Sequence, residues 1–217
     1  MDIAIIGAGT VGTALATSFN RAGHNVTVAS RDPKDAGTLA AATGSTAALS
    51  NAAAAATADV IVLAVPFSSI PEIAAEIATA VGGKPVVDAT NRMSFGADGP
   101  EIDTTSSNAE ELAALLPDAS VIKAFNTVLA SHQSEPTAEG VQLDGYVAGD
   151  DESTKATVLQ LVESMGLAPV DVGPLARARQ LEGLAFLNIT LNAANDGSWQ
   201  SGWKLVGAPA KRPVAAR

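Results

Sequence analysis

The sequence predicts an α/β fold: a doubly wound, mostly parallel sheet followed by a small helical extension at the C-terminus. Two observations predict it. Short β-branched runs alternate with alanine-rich helical stretches almost to residue 175. The runs, such as DVIVLAV at 59–65, are almost continuously apolar, which is typical of strands that helices cover on both faces.

The individual elements follow from these patterns. Strands are predicted at 2–6, 25–29, 45–47, 59–65, 85–89, 120–125, 144–148 and 168–172. Helices are predicted at 10–22, 33–42, 50–57, 68–80, 107–116, 152–165 and 175–195. The polar segment 92–106 is predicted as a loop after the carboxyl end of a strand, where open α/β sheets bind ligands.

Two elements need a separate reason. The segment NAAAAATA at 51–58 has low complexity, but alanine is the best helix former, so a small packed helix is predicted. The last helix begins after Pro174, since proline is favoured at the first turn of a helix. The chain is accordingly divided into a domain at 1–174 and a C-terminal helix and tail at 175–217.

Composition restricts the classes of function. The 217 residues suffice for one sizeable domain, and the formal net charge of −10 argues against nucleic acid as a partner. The chain has no cysteine, which excludes disulfides and thiolate metal sites, and no other metal-ligand spacing stands out. The N-terminus lacks the basic region of a signal peptide, and no apolar run approaches the roughly 18 residues that cross a bilayer. We therefore expect a cytoplasmic protein without a membrane partner, whose acidity reflects solubility or a salt-adapted host.

The motif G-x-G-x-x-G occurs as GAGTVG at residues 7–12, directly after the first predicted strand and before an amphipathic helix. In such a turn Gly7 permits the tight bend, Gly9 lets a pyrophosphate approach the backbone, and Gly12 allows the helix to pack closely on the strand. The start of the helix presents unpaired N–H groups to the phosphates. The motif therefore predicts a Rossmann domain that binds a dinucleotide.

The end of the second strand distinguishes between the two nicotinamide coenzymes. NAD-binding proteins have an acidic residue there that accepts from the ribose 2′-hydroxyl, whereas this chain has Ser30 followed by Arg31. A guanidinium can pair with a 2′-phosphate and stack on adenine, and Lys34 adds a nearby positive charge. Asp32 does no harm if its side chain points away. We predict NADP rather than NAD, with an ordinary surface arginine as the alternative.

Further binding residues are expected where later strands end, because these ends converge on one crevice in a doubly wound sheet. Asn91 and Asn126 are predicted to hydrogen-bond a carboxamide or a second ligand, although either also suits an ordinary turn. Pro66 equally suits a strand stop. Asn126 and Ser68 are the candidates for a catalytic role. The residues at these strand ends are Val65, Pro66, Phe67, Ser68, Thr90, Asn91, Ala124, Phe125, Asn126 and Thr127.

Residues that usually carry acid–base chemistry are scarce. The only histidines are His24, in a turn, and His132, in a loop after the sixth strand. Lys123 lies within an apolar strand, where a partly buried ion pair or an outward-facing edge position is favoured over a catalytic ammonium. Hydride transfer between two rings needs close, oriented stacking more than it needs a proton shuttle. The pattern therefore favours an oxidoreductase.

Six segments together resemble the NADP-dependent coenzyme F420 reductases, also called F420H2:NADP oxidoreductases, over nearly the whole chain. The most specific part is the late block, in which a strand end of the form G-D-D/E is followed by a helix and then by DVGPL and an arginine. The reductase domain of the Steap metalloreductases is a relative, and VIKAFNT is similar to its version of that strand. The segments are IAIIGAGTVG, VASRDP, VLAVPF, VVDATN, VIKAFNT and VAGDDESTKATVLQLVESMGLAPVDVGPLARARQLEGLAFLNI.

This resemblance implies hydride transfer between C4 of NADPH and C5 of the deazaflavin F420. It implies that Thr10, Val11 and Gly12 lie under the pyrophosphate, and that Ser30 and Arg31 hold the 2′-phosphate. It also places Val128 and Ala130 near the nicotinamide and assigns the tail GSWQSGWKL to the wall of the deazaflavin pocket.

The chain departs from the family pattern at two positions. Asn126 stands where well-known F420 reductases have a histidine, and Lys34 lies one residue away from the usual lysine of the family. A flavin acceptor is therefore the alternative to F420.

Two other classes of function stay open. One is an NADP-sensing module without turnover, and the other is a β-hydroxyacid dehydrogenase or imine reductase. The latter needs a large helical domain, and the roughly 40 residues after 175 are too few unless a homodimer completes the site. A homodimer is also our general expectation. The aromatic residues Phe186, Trp199 and Trp203 favour a second pocket, with core packing or a subunit interface as the alternatives.

Overall fold

A computed structural model describes residues 1–96 and 99–207. Its strands are β1 (Asp2–Ile6), β2 (Asn25–Ala29), β3 (Thr46–Ala47), β4 (Val60–Leu63), β5 (Pro85–Asp88), β6 (Ser94–Gly96), β7 (Gly99–Glu101), β8 (Ser120–Lys123), β9 (Thr137–Ala138), β10 (Val141–Gln142), β11 (Asp144–Gly149) and β12 (Ala168–Gly173). Its helices are α1 (Thr10–Arg21), α2 (Pro33–Thr43), α3 (Asn51–Thr57), α4 (Ile70–Val81), α5 (Asn108–Leu115), α6 (Ala130–Gln133), α7 (Glu152–Ser164) and α8 (Ala178–Ala194). Within these ranges, no helix combines the length and the apolar character that a membrane span requires.

Eight of the strands form one sheet in the order β12-β11-β8-β5-β4-β1-β2-β3. The six strands from β8 to β3 run parallel, so their carboxyl ends lie along one edge. β11 runs antiparallel to β8, with Ala148 opposite Lys123, and β12 runs parallel to β11. The amino end of β11 therefore lies at the same edge as the carboxyl ends of the six. The predicted doubly wound, mostly parallel fold is confirmed.

The sheet is buried on both faces because its strands carry apolar residues at successive positions. Ile3 and Ile5 of β1 pack with Phe19 of α1 in one core cluster. Ile6 of the same strand belongs to a second cluster, which also contains Ile77 of α4. A single strand thus contributes to two cores, which explains why its sequence shows an unbroken apolar run rather than an alternating one.

The structure differs from the sequence-based expectation in the connecting segments. Segment 92–106, predicted as a loop, contains the hairpin of β6 and β7, so that part of the prediction is wrong. The short helix α6 and the hairpin of β9 and β10 follow β8, where no element is predicted. β8 itself ends at Lys123 instead of 125. Phe125 has a φ of 66°, in the left-handed region, and the chain turns out of the sheet there.

A buried ion cluster joins α8 to the carboxyl ends of β5 and β8. The Lys123 ammonium, none of which is exposed, lies 2.7 Å from Asp88 Oδ2 and 2.7 Å from Glu182 Oε1. It also donates to the carbonyl oxygen of Thr90 at 2.6 Å. Glu182 Oε1 accepts in addition from the backbone N–H of Asn108 at 2.9 Å. Of the roles considered for Lys123, the ion pair is therefore the one observed, and it is fully buried.

The cluster holds two carboxylates against one ammonium. Burial raises the pKa of the Glu182 carboxyl above its ordinary value, and the Lys123 ammonium acts against that shift. Removing charged groups from water is costly, so such a cluster is tolerated only when each charge keeps its partners. Lys123 is the member on which both carboxylates depend.

Replacing Lys123 with methionine should therefore destabilise the protein strongly. Lys123→Met leaves Asp88 and Glu182 buried without a counter-charge, and we expect the free energy of unfolding to fall by about 3–5 kcal/mol. Urea denaturation followed by circular dichroism measures this quantity. The matched control is Lys34→Met at an exposed position of α2, which should change it by less than about 0.5 kcal/mol. Equal stability of the two variants would show that Asp88 and Glu182 do not need the Lys123 ammonium as a counter-charge.

Candidate active site

The glycine turn between β1 and α1 is packed very closely at two of its three glycines. Gly7 has a φ of 123°, and a Cβ there would lie 2.2 Å from the carbonyl oxygen of Ala64. A Cβ at Gly12 would lie 2.0 Å from the carbonyl oxygen of Gly7. A Cβ at Gly9, by contrast, would have no other atom within 4 Å. Gly7 and Gly12 thus permit packing, whereas Gly9 leaves open space beside the start of α1.

The start of α1 borders this space without a side-chain cap. Gly9 is the N-cap residue and makes no capping hydrogen bond. The backbone N–H groups of the first turn, at Thr10, Val11 and Gly12, have no partner within the helix. They form the positive end of the helix dipole, which favours a bound anion. An open, donor-lined space of this kind fits a diphosphate group.

A cleft of about 610 Å³ extends from the glycine turn. Residues that follow β1, β2 and β4 line it, together with residues of α2, α3 and α4. It brings together several of the residues predicted for the site, including the catalytic candidate Ser68. Those residues are Gly7, Gly9, Ser30, Arg31, Val65, Pro66 and Ser68.

Charges of both signs line the cleft. Arg31 is the single cation among the described residues that line it, because Lys34 lies outside the lining. The Asp32 carboxylate accepts from the backbone N–H of Lys34 at 2.9 Å and thereby caps α2. This cap explains why an acidic residue is tolerated next to Arg31. The carboxylates that line the cleft are Asp32, Asp35, Glu72 and Glu76.

Three other predicted residues lie away from the cleft. Phe67 begins the 3-10 turn before α4, and the Arg92 guanidinium lies 5.9 Å from the centre of its ring. Ala124 and Val128 are buried in the core cluster that contains Phe19. None of the three belongs to the lining of the cleft, and their predicted contacts with the cofactor stay predictions.

Two asparagines pair where β5 and β8 end. Asn126 Nδ2 donates to Asn91 Oδ1 at 2.9 Å and to the carbonyl oxygen of Leu181 in α8 at 3.0 Å. Asn126 Oδ1 and the hydroxyl of Thr127 are buried without a partner among the described residues. Buried polar atoms without partners are uncommon in folded proteins. The two asparagines and Thr127 therefore form a polar site at the carboxyl edge of the sheet.

An open groove on the other side of the glycine turn contains Ala130. Gly9 and Thr10 line it at the start of α1, and Ala130 and Ser131 line it from α6. The structure thus places Ala130 in one groove with the glycine turn, and its predicted position near the nicotinamide stays a prediction.

The C-terminal tail is anchored beside this groove. The Ser131 hydroxyl donates to the carbonyl oxygen of Trp199 at 2.8 Å. The buried imidazole of His132 lies between two carbonyl oxygens, with Nε2 2.7 Å from that of Gln200 and Nδ1 3.0 Å from that of Glu135. His132 therefore has a structural contact with the tail.

The C-terminal aromatic residues have different environments. Trp203 packs with Tyr146 and Leu181 and donates through Nε1 to the carbonyl oxygen of Leu184 at 3.2 Å. Trp199, with 45% of its surface accessible, remains exposed. Core packing, one of the two alternatives considered, is thus the environment of Trp203.

Sequence reasoning missed Asp88 and Glu182, the partners of Lys123. Asp88 had a detectable signal, because a carboxylate and an ammonium each interrupt an apolar strand, and a buried charge needs a partner. The two residues are directly opposite each other in β5 and β8. Glu182 is 59 residues from Lys123 and has no comparable local signal.

Comparison with known proteins places the chain in a family. The family model described as NADP oxidoreductase, coenzyme F420-dependent, matches residues 2–92. The F420-dependent NADP reductase of Methanothermobacter thermautotrophicus is 33% identical over 211 residues, which cover 90% of each chain. A crystal structure of a candidate F420-dependent NADP reductase from Arthrobacter sp. FB24 superposes with a TM-score of 0.85 at 31% identity, covering 94% of this chain and 99% of the other.

A second group of relatives is much longer than this chain. The metalloreductase STEAP3 of Rattus norvegicus is 34% identical over 190 residues, which are 84% of this chain but 36% of that protein. The chain thus spans little more than a third of the length of that relative. The match to the methanogen reductase covers nearly the full length of both proteins, and the chain belongs to the family of F420-dependent NADP oxidoreductases.

Proposed function

We propose that the protein transfers a hydride between NADP(H) and a deazaflavin of the F420 type. The observation that carries this proposal is the cleft in which Ser30 and Arg31 lie beside the glycine turn and the uncapped start of α1. NADPH, when bound, supplies the hydride from its nicotinamide ring. The chain itself binds and orients the two rings, which is the main requirement of a hydride transfer.

The adenosine end of NADP fits the residues that line the cleft. The first-turn N–H groups of α1 would hold the diphosphate, and the space at Gly9 lets it approach the backbone. The Ser30 hydroxyl and the Arg31 guanidinium would hold the 2′-phosphate, the latter through two hydrogen bonds. Ser68 lines the same cleft, which supports a binding role for it rather than a catalytic one.

The nicotinamide end would lie toward the groove and the amide pair. Ala130 lines the groove together with Gly9 of the glycine turn. Asn126 is held in place by Asn91 and the carbonyl oxygen of Leu181. We assign Asn126 to positioning the carboxamide or the acceptor. The anchored tail from Trp199 to Trp203 would wall the acceptor site.

The acceptor is proposed from the relatives. The methanogen relative, which matches nearly end to end, is named an F420-dependent reductase, and this favours a deazaflavin. The longer relatives are named metalloreductases, so ferric chelates and flavins are the acceptors to test against it.

Two glycine variants separate binding from packing in the turn. Gly9→Ala adds a methyl group to open space, so we expect its free energy of unfolding to stay within about 0.5 kcal/mol of the wild type. The same methyl group should weaken NADPH binding by about 1–3 kcal/mol, the usual cost of overpacking a close contact. Gly12→Ala is the comparison, because its methyl group collides with the Gly7 carbonyl and should lower stability. Calorimetric titration with NADPH and thermal unfolding measure both effects, and unchanged NADPH binding by Gly9→Ala would contradict this placement of the diphosphate.

Arg31→Ala should weaken NADPH far more than NADH. Each charge-assisted hydrogen bond that is lost is worth about 1.5–3 kcal/mol, which corresponds to roughly a 10- to 150-fold rise in Kd. Arg177→Ala is a control with the same change in net charge at an exposed position before α8. Titrating each variant with both coenzymes gives the comparison. Equal losses of affinity for NADPH and NADH would contradict the contact between Arg31 and the 2′-phosphate.

A screen of acceptors tests the reaction itself. With NADPH as donor, oxidised F420 should lose its visible absorption, whereas FMN, FAD and ferric chelates should react more slowly. The reason is that the acceptor site is proposed to fit a deazaflavin. A faster reaction with a flavin or a ferric chelate would contradict F420 as the acceptor. NADPH binding without turnover of any acceptor would favour a sensor.

A further inference from the structure

The contacts proposed for the diphosphate and the 2′-phosphate involve only part of the lining of the cleft. The rest of the lining includes the chain between β3 and α3 and residues of α4, with Leu49, Ile73 and Glu76 among its members. Leu49 is 94% exposed and lines the cleft, so its apolar side chain is accessible to a flat ring that enters there. Because the 2′-phosphate lies on the adenosine ribose, the adenine ring must lie next to Arg31, within this same cleft.

Three of the four carboxylates that line the cleft have a role in the fold. Asp32 caps α2, and Asp35 and Glu72 lie in the first turns of α2 and α4, where the helix dipole favours a negative charge. Glu76 lies in the middle of α4, where neither a cap nor the helix dipole favours a negative charge. A carboxylate beside an anionic cofactor raises the cost of binding it, unless the carboxylate accepts a hydrogen bond from that cofactor.

Glu76 is also held in one position by a buried neighbour. Asn51 Nδ2 donates to Glu76 Oε2 at 2.6 Å, and Asn51 is only 9% exposed. A carboxylate can only accept, so the amide must turn its NH2 group toward Glu76, and the orientation of Asn51 is fixed. Glu76 Oε1 has no partner among the described residues. The cleft that Arg31 lines therefore also contains one oriented acceptor oxygen, Glu76 Oε1.

We propose that Glu76, positioned by Asn51, recognises the 6-amino group of adenine, while Leu49 and Ile73 pack against the ring. The inference rests on the proposed NADP function and adds the specificity for the base. Adenine offers a donor at this position, whereas hypoxanthine offers a carbonyl oxygen that would face the carboxylate. A site built to accept a hydrogen bond rejects a ligand that cannot donate it.

Deamino-NADPH, in which hypoxanthine replaces adenine, is the probe. Calorimetric titration of the wild type should give a Kd for deamino-NADPH that is about tenfold or more above that for NADPH. In Glu76→Gln the amide can donate to the 6-carbonyl, so the ratio of the two Kd values should fall to about one or below. Glu72→Gln is the matched control, since it removes a carboxylate one turn earlier on the same helix and should keep the wild-type ratio.

The outcomes separate this inference from the proposed function. Equal binding of both coenzymes by the wild type, or an unchanged ratio in Glu76→Gln, overturns the recognition of adenine by Glu76. If NADPH binding still depends on Arg31 in that case, the NADP function stands. Absence of NADPH binding by the wild type overturns both. Glu76 is exposed, so its substitution should leave the fold intact.

Discussion

The contact between the end of β1 and the start of α1 determines what the sheet edge can bind. The carbonyl oxygen of Gly7 occupies the place that a Cβ at residue 12 would take, so α1 begins directly against the strand. Its uncapped N–H groups thereby reach the carboxyl edge of the sheet. β2 and β4 flank β1 on either side, and the strand order reverses there, which is where open α/β sheets bind their ligands. This arrangement brings Arg31 and Pro66, which follow β2 and β4, into one cleft.

The other half of the edge depends on a different device. Lys123 joins β5, β8 and α8 through two carboxylates, and the helix that supplies Glu182 also supplies the Leu181 carbonyl that holds Asn126. A buried cluster of this kind contributes little net stability compared with apolar packing, but its geometry is strict. By fixing the position of α8, the cluster also fixes the Leu181 carbonyl oxygen that accepts from Asn126. The C-terminal helix is in this sense part of the candidate site.

The sequence predicted features that depend on neighbouring residues, and it missed those that depend on tertiary contacts. Continuous apolar runs and the glycine turn identified the sheet and its edge, and the segment after β2 identified Ser30 and Arg31, which do line the cleft. Nothing in the run of β11 indicates that it is antiparallel to β8, because strand direction is set by the connection rather than by the strand. Lys34 was expected near Arg31 from its spacing, but Asp32 caps α2 and Lys34 lies outside the cleft lining. The domain division at 174 and the homodimer stay predictions.

The most direct test is a crystal structure of the protein with NADP bound. We expect the diphosphate at the start of α1 beside Gly9 and the 2′-phosphate within hydrogen-bonding distance of the Arg31 guanidinium and the Ser30 hydroxyl. The adenine should lie between Arg31 and the wall formed by α4. A complex in which the Arg31 side chain extends into solvent and the 2′-phosphate contacts other residues would contradict the assignment of the cleft.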